Sequence, residues 1–256
     1  MNNGGTQSDF LNEVLGNLRL YICNDDKLGV EKGKDMTLIL YRIAREIKNG
    51  IPGYMNEGGY VDIARVLEHC GLEVQECHLN SEQDFFDNEI SGYLDASQYS
   101  QNSNSWKIYI NSNISGLERR YVIAHEVSHY ILDFAYGRKV RRYCCTPVFP
   151  RDSSEQACDM LSSFLLMPLD NTMESFQKFR KAQMHEYKKP RKVEFIKYLA
   201  YNFVLTDLQA AMCFEHVRHL AGILYEKSMN SVVSNSTMSD FEQEFKMINN
   251  YRECFR

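Results

Sequence analysis

His125 and His129 stand four residues apart in the stretch YVIAHEVSHYILD (121–133), and Glu126 directly follows the first of them. On a helix, positions i and i+4 lie one turn apart on the same face. Both imidazoles can then reach one ion at zinc–nitrogen distances of ~2.0–2.1 Å. A carboxylate placed just after the first ligand can reach water at the metal, as in the H-E-x-x-H pattern of metalloproteases. Zinc catalysis needs three protein ligands and one open position. The best candidate for the third is Glu155, 26 residues beyond His129. Asp159 is i+4 from Glu155, on the same helix face, where a carboxylate can hold a ligand histidine by its free N–H. The competing reading is a buried helix with two hydrogen-bonded histidines, and an acidic residue of the kind favoured in any helix's first turn.

These side chains need elements to carry them. Tyr121, Val122, Val127, Ile131 and Leu132 predict an uninterrupted helix over about 117–134. A loop of some twenty residues follows, containing Gly137, Pro147 and Pro150. Asp152, Ser153 and Ser154 offer caps for SEQACDMLSSFLLM, which Pro168 ends. Upstream, KDMTLILYRIAREIKNG reads as a helix capped by Asp35 and stopped by Gly50, with Leu38, Leu40, Ile43 and Ile47 at helical spacing. GYVDIARVLEHCG reads as a second, with Gly71 as its C-cap. LEVQECHL, EISGYLD (weakened by its glycine) and SWKIYINSN read as strands. KIYIN is the expected exposed edge for an extended substrate. The fold class is therefore α+β, a small sheet packed on helices. Downstream, KVEFIKYLAYNF and LQAAMCFEHVRHLAGILY flank a tight break, a helix-turn-helix-like pattern with Thr206 as cap. The expected organisation is an N-terminal extension (1–32) holding a short helix, a metallopeptidase unit (33–170), a helical module (171–227), and a linker with a last short helix (228–256).

Composition excludes several classes. Hydrophobic residues make up 44% and charged residues 25% of 256, ordinary for a folded globular chain. Net charge is −5, which gives no general attraction to nucleic acid or anionic membrane. The charge is uneven. Residues 171–230 hold ten Lys/Arg against six Asp/Glu, so that segment is +4 and the remainder −9. A +4 segment is modest for neutralising many phosphates. The eight cysteines form no CxxC pair, so Cys144 and Cys145 are not expected to be ligands. The first twenty residues lack a basic start and apolar run, and no stretch nears the ~20 apolar residues of a membrane span. Reduced thiols and a cytoplasmic location follow as expectations.

RRYVIAHEVSHYILD followed by EQACDMLSSFLLMP resembles the ImmA/IrrE family of metallo-endopeptidases, with its H-E-L-G-H helix and its glutamate helix ending in leucines, Met and Pro. DIARVLEHCGLEV, ISGYLD and KIYINSNISGLERR resemble the N-terminal half of that family in order, so the likeness covers roughly 59–168. Ser128 stands where glycine is usual, and Asp159 where the family often has a small polar residue. The resemblance implies a zincin-like domain, Zn²⁺ held by His125, His129 and Glu155, and Glu126 as the base. It further implies a bacterial cytoplasmic protease whose substrate is a helix-turn-helix repressor controlling a mobile element or stress response. Tyr130, Arg141, Arg142 and Tyr143 are the candidate oxyanion donors. The alternative is a zinc-containing regulator that binds DNA through residues 190–225, or binds a protein, without hydrolysis.

Overall fold

The computed structural model describes residues 32–79, 90–95, 106–135, 144 and 145, 153–185 and 192–231. The chain begins there with α1 (Lys32–Gly50), which buries Ile39, Leu40, Ile43, Ala44 and Ile47 along one face. Asp35 lies inside this helix and not at its cap, because the helix starts earlier, at Lys32. The expected stop at Gly50 holds. Helix α2 (Ile63–Cys70) is shorter than its sequence stretch suggests. Asp62 caps it, its carboxylate accepting from the Ala64 N–H at 3.1 Å. Gly71, at φ 63°, closes it in the left-handed conformation that suits glycine.

Three strands follow: β1 (Leu72–Cys77), β2 (Ile90–Asp95) and β3 (Trp106–Asn111). After α3 (Gly116–Ala135) comes β4 (Cys144–Cys145). The sheet order is β1-β3-β2-β4. β3 runs parallel to β1 and antiparallel to β2. This corrects one expectation: KIYIN lies in an interior strand, paired on both sides, so it offers no free edge to a substrate. Residues 144 and 145, expected in a plain loop, pair with Ile90 and Gly92 of β2. The rest of that loop lies outside the described residues, as do most of the N-terminal extension and the last short helix.

Trp106, Ile108, Ile110 and Leu94 turn one sheet face into the core, beneath α3. Gly92 lets them meet. A Cβ there would sit 2.7 Å from Val122 Cγ1 and 2.8 Å from the Tyr109 carbonyl oxygen. The glycine read as a weak point in the strand is the point of closest approach between sheet and helix.

Helix α4 (Ser153–Leu166) packs against α3, α1 and, later in the chain, α7 (Asp207–Ser231). It buries Leu161, Phe164, Leu165 and Leu166. Each such side chain contributes roughly 1.5–3 kcal/mol of burial. Pro168 ends α4 but also opens α5 (Leu169–His185), which lies almost wholly within the stretch expected to be helical (171–227), though no pattern marks it there as a separate helix. Its carbonyl accepts from both the N–H and the hydroxyl of Thr172, at 2.9 Å each. Helix α6 (Lys192–Phe203) joins α5 and α7 through Phe176, Phe179, Phe195 and Phe214, whose rings contact at 5.2–5.4 Å. Between α6 and α7, Val204 adopts φ 54°. Leu205 N–H reaches Ala200 O and Val204 N–H reaches Tyr201 O, a closing pattern usually served by glycine. Thr206 and Gln209 then exchange side-chain and backbone hydrogen bonds at 3.2 Å, starting α7. α7 continues to Ser231, through the first residues of the expected linker. Among the described residues, no helix is long and apolar enough to cross a membrane.

Candidate metal centre

Helix α3 starts with a reciprocal cap. Ser115 Oγ accepts from Glu118 N–H at 3.2 Å, and the Glu118 carboxylate accepts from Ser115 N–H at 3.0 Å. Beyond its first turn the helix enters the core, and every residue from Tyr121 to Leu132 is buried. Besides the two tyrosines, four of those carry polar or ionisable side chains: His125, Glu126, Ser128 and His129, all at 0% exposure. A polar group in that position must find a partner or pay a desolvation cost. Ser128 finds one on its own helix, donating to Ala124 O at 2.8 Å.

The histidines find theirs on α4. His125 Nε2 lies 3.1 Å from His129 Nε2. Glu155, in the first turn of α4, brings Oε2 to 3.2 Å from His125 Nε2 and Oε1 to 3.3 Å from His129 Nε2. Two imidazole nitrogens and a carboxylate thus form a nearly equilateral triangle. A tetrahedral ion with ligand distances of ~2.0–2.1 Å requires donor–donor edges of roughly 3.3 Å. The three side chains therefore fit a zinc-sized divalent cation, and they are the group of His, Cys, Asp and Glu side chains among the described residues that could hold one.

Around the triangle stand further groups. Asp159 Oδ1 is 3.0 Å from His125 Nδ1, at ion-pair distance though not aligned as a linear hydrogen bond. Tyr121 Oη donates to the same carboxylate oxygen at 3.1 Å. Cys158 Sγ lies 3.1 Å from His129 Nδ1. The i, i+4 spacing from Glu155 places Asp159 on that helix face, whereas no sequence pattern marks Tyr121 or Cys158 as neighbours of the histidines. Tyr121 sits one turn before His125 and Cys158 one residue before Asp159, spacings that point to neither contact without knowing how α3 and α4 face each other.

Burial opposes charge on His125, but the Asp159 and Glu155 carboxylates outweigh it and raise its pKa to about 9. Burial likewise opposes ionisation of Glu155, yet the two histidines hold it well below the usual carboxylate range. The pocket thus favours positive charge at the point where the three ligand atoms converge. Glu126 differs. Burial pushes its pKa up, partly offset by His129 and His125. The Leu94 backbone of β2 is close, but neither carboxylate oxygen meets a partner in hydrogen-bond geometry. Of the suggested oxyanion donors, Tyr130 is buried with its ring edge-on to Trp106 at 5.3 Å. Arg141, Arg142 and Tyr143 lie outside the described residues.

Residues 71–207, more than half of the chain and including every residue of this centre, match the IrrE N-terminal-like domain (peptidase M78). Comparison with curated proteins finds no match.

Proposed function

The chain belongs to the ImmA/IrrE family of metallopeptidases, and on that premise we propose that it is a zinc-dependent endopeptidase with a zincin-like catalytic unit. The observation that carries this reading is the 3.1–3.3 Å triangle of His125, His129 and Glu155 with a buried, unpartnered carboxylate beside it. His125, His129 and Glu155 would hold the zinc, which would supply Lewis acidity for activating water near neutral pH and polarising the scissile carbonyl.

The chain's own residues do the rest. Glu126 takes a proton from the attacking water and passes it to the leaving amine. Its raised pKa suits that task, since a base closer to neutrality can both accept and return the proton. Asp159, held by Tyr121, orients His125 through Nδ1 and so keeps Nε2 directed at the ion. The buried walls of α3 and α4 limit water around the reacting bond.

The substrate we propose is a helix-turn-helix repressor, in a bacterial cytoplasm, by analogy with the family. The α6–α7 pair leaves Val193, Tyr201 and Leu208 as exposed apolar side chains available to a protein partner.

The test pairs metal analysis with cleavage of a co-expressed candidate repressor. The wild-type chain is expected to hold one zinc and His129→Ala to lose it. Glu126→Gln should retain zinc but lose ~10²–10⁴ in cleavage rate. Equal zinc in wild type and His129→Ala would remove the ligand assignment. Full zinc with unchanged repressor loss in Glu126→Gln would instead favour a regulator that acts by binding.

A further inference from the structure

We propose that Cys158 is a positioning residue for the metal centre: its sulfur holds the Nδ1 side of His129, so that Nε2 is the nitrogen offered to the ion. The inference rests on the ligand set proposed above. Both side chains have no solvent exposure, so bulk solvent does not reach the contact. The Sγ–Nδ1 distance is 3.1 Å, while the opposite ring nitrogen faces His125 and Glu155 at 3.1 and 3.3 Å.

A neutral imidazole carries one N–H and one lone pair. For Nε2 to present its lone pair to a cation, the proton must sit on Nδ1, and a buried N–H needs an acceptor. Cys158 Sγ is the atom placed to accept it. Successive helix residues point about 100° apart. Cys158 and Asp159 can therefore serve the two histidines separately from one turn of α4, which also presents Glu155.

The two anchors are unequal. Asp159 sets a carboxylate oxygen 3.0 Å from His125 Nδ1, off linear hydrogen-bond alignment, and acts on that ring through its negative charge. A thiol sulfur is a weak acceptor. His129 is therefore the more weakly anchored of the two ligands, and its orientation is the one most open to adjustment by substitution at position 158.

The experiment measures zinc affinity of the full-length chain by competition with a chromophoric chelator at pH 7. The proteins are wild type, Cys158→Ala and Cys158→Ser, each also unfolded in urea without metal. Imidazole nitrogen NMR of the metal-free proteins reports the His129 tautomer. Cys158→Ala is expected to bind zinc about 10-fold more weakly, with loss of a single Nδ1–H tautomer. Cys158→Ser, whose hydroxyl also accepts, should recover affinity to within about threefold of wild type. Unchanged affinity and tautomer in Cys158→Ala overturn the proposal while leaving the ligand set intact. So does a loss in Cys158→Ala that serine does not restore, or one that merely follows a loss of metal-free stability. A wild-type chain that binds no zinc overturns the ligand set, and this inference with it.

Discussion

The i, i+4 spacing of His125 and His129 places two imidazoles on one helix face by geometry alone, and that much of the centre is legible in the sequence. Glu155 is less so. It reaches the histidines because α4 folds back against α3, which the length of the intervening span permits but does not dictate. Tyr121 and Cys158 were illegible because their roles depend on which way α4 is rotated against α3. The same burial that shapes the centre makes predictions for other thiols. Burial pushes both Cys70 and Cys213 up to about 12. Each is a raised, thiol-form group at pH 8, and the thiolate is the nucleophile. Neither is expected to be alkylated by iodoacetamide at pH 8 in the folded chain, and both should be in denaturant. Mass spectrometry of the labelled peptides reads this, and rapid native labelling of either would contradict it.

At the scale of elements, periodicity showed where helices and strands lie better than it showed how they neighbour one another. The alternation in KIYIN is that of any strand with one face in the core, and an interior strand and an edge strand share it. Pro168 is the stop its position predicts, but a proline also suits the start of a helix, and α5 begins directly after it. Gly92 shows how a weakness in propensity can be a requirement of packing. Gly92→Ala drives a methyl into Val122 and a backbone carbonyl, and overpacking of this kind costs roughly 1–3 kcal/mol. A lowered urea midpoint is expected, together with weaker zinc binding, because Val122 lies on the helix that carries both histidines. Thr206 is the corresponding test on α7. Removing its hydroxyl with Thr206→Ala should cost about 0.5–2 kcal/mol, read from the same urea titration. A loss below ~0.3 kcal/mol would mean that helix packing alone sets the start of α7.

At the scale of the whole molecule, the centre lies where α3 and α4 meet, and α4 is in turn packed against α1 and α7. A cation held between α3 and α4 would therefore tie the body of the protein together. Metal that binds only the folded chain stabilises it by about 2.7 kcal/mol at a hundredfold excess over Kd. For a chain of this size that corresponds to a melting shift of roughly 5–10 °C. Zinc should raise Tm, EDTA should reverse the rise, and His129→Ala should respond to neither, as followed by circular dichroism. A response in His129→Ala equal to wild type would place the stabilising ion elsewhere.

Glu126 also bears on the balance between durability and work. A carboxylate at 0% exposure, where burial opposes its charge, is a poor core residue. Removing a polar group from such surroundings recovers ~1–3 kcal/mol of desolvation in proteins. Glu126→Met, similar in length and flexible enough to fill the space, should make the metal-free chain more stable by about that amount while abolishing cleavage. A urea midpoint that rises as activity vanishes would mark position 126 as one where fitness for chemistry and fitness for folding are opposed. The easiest route to a hardier form of this protein would then run through its inactivation.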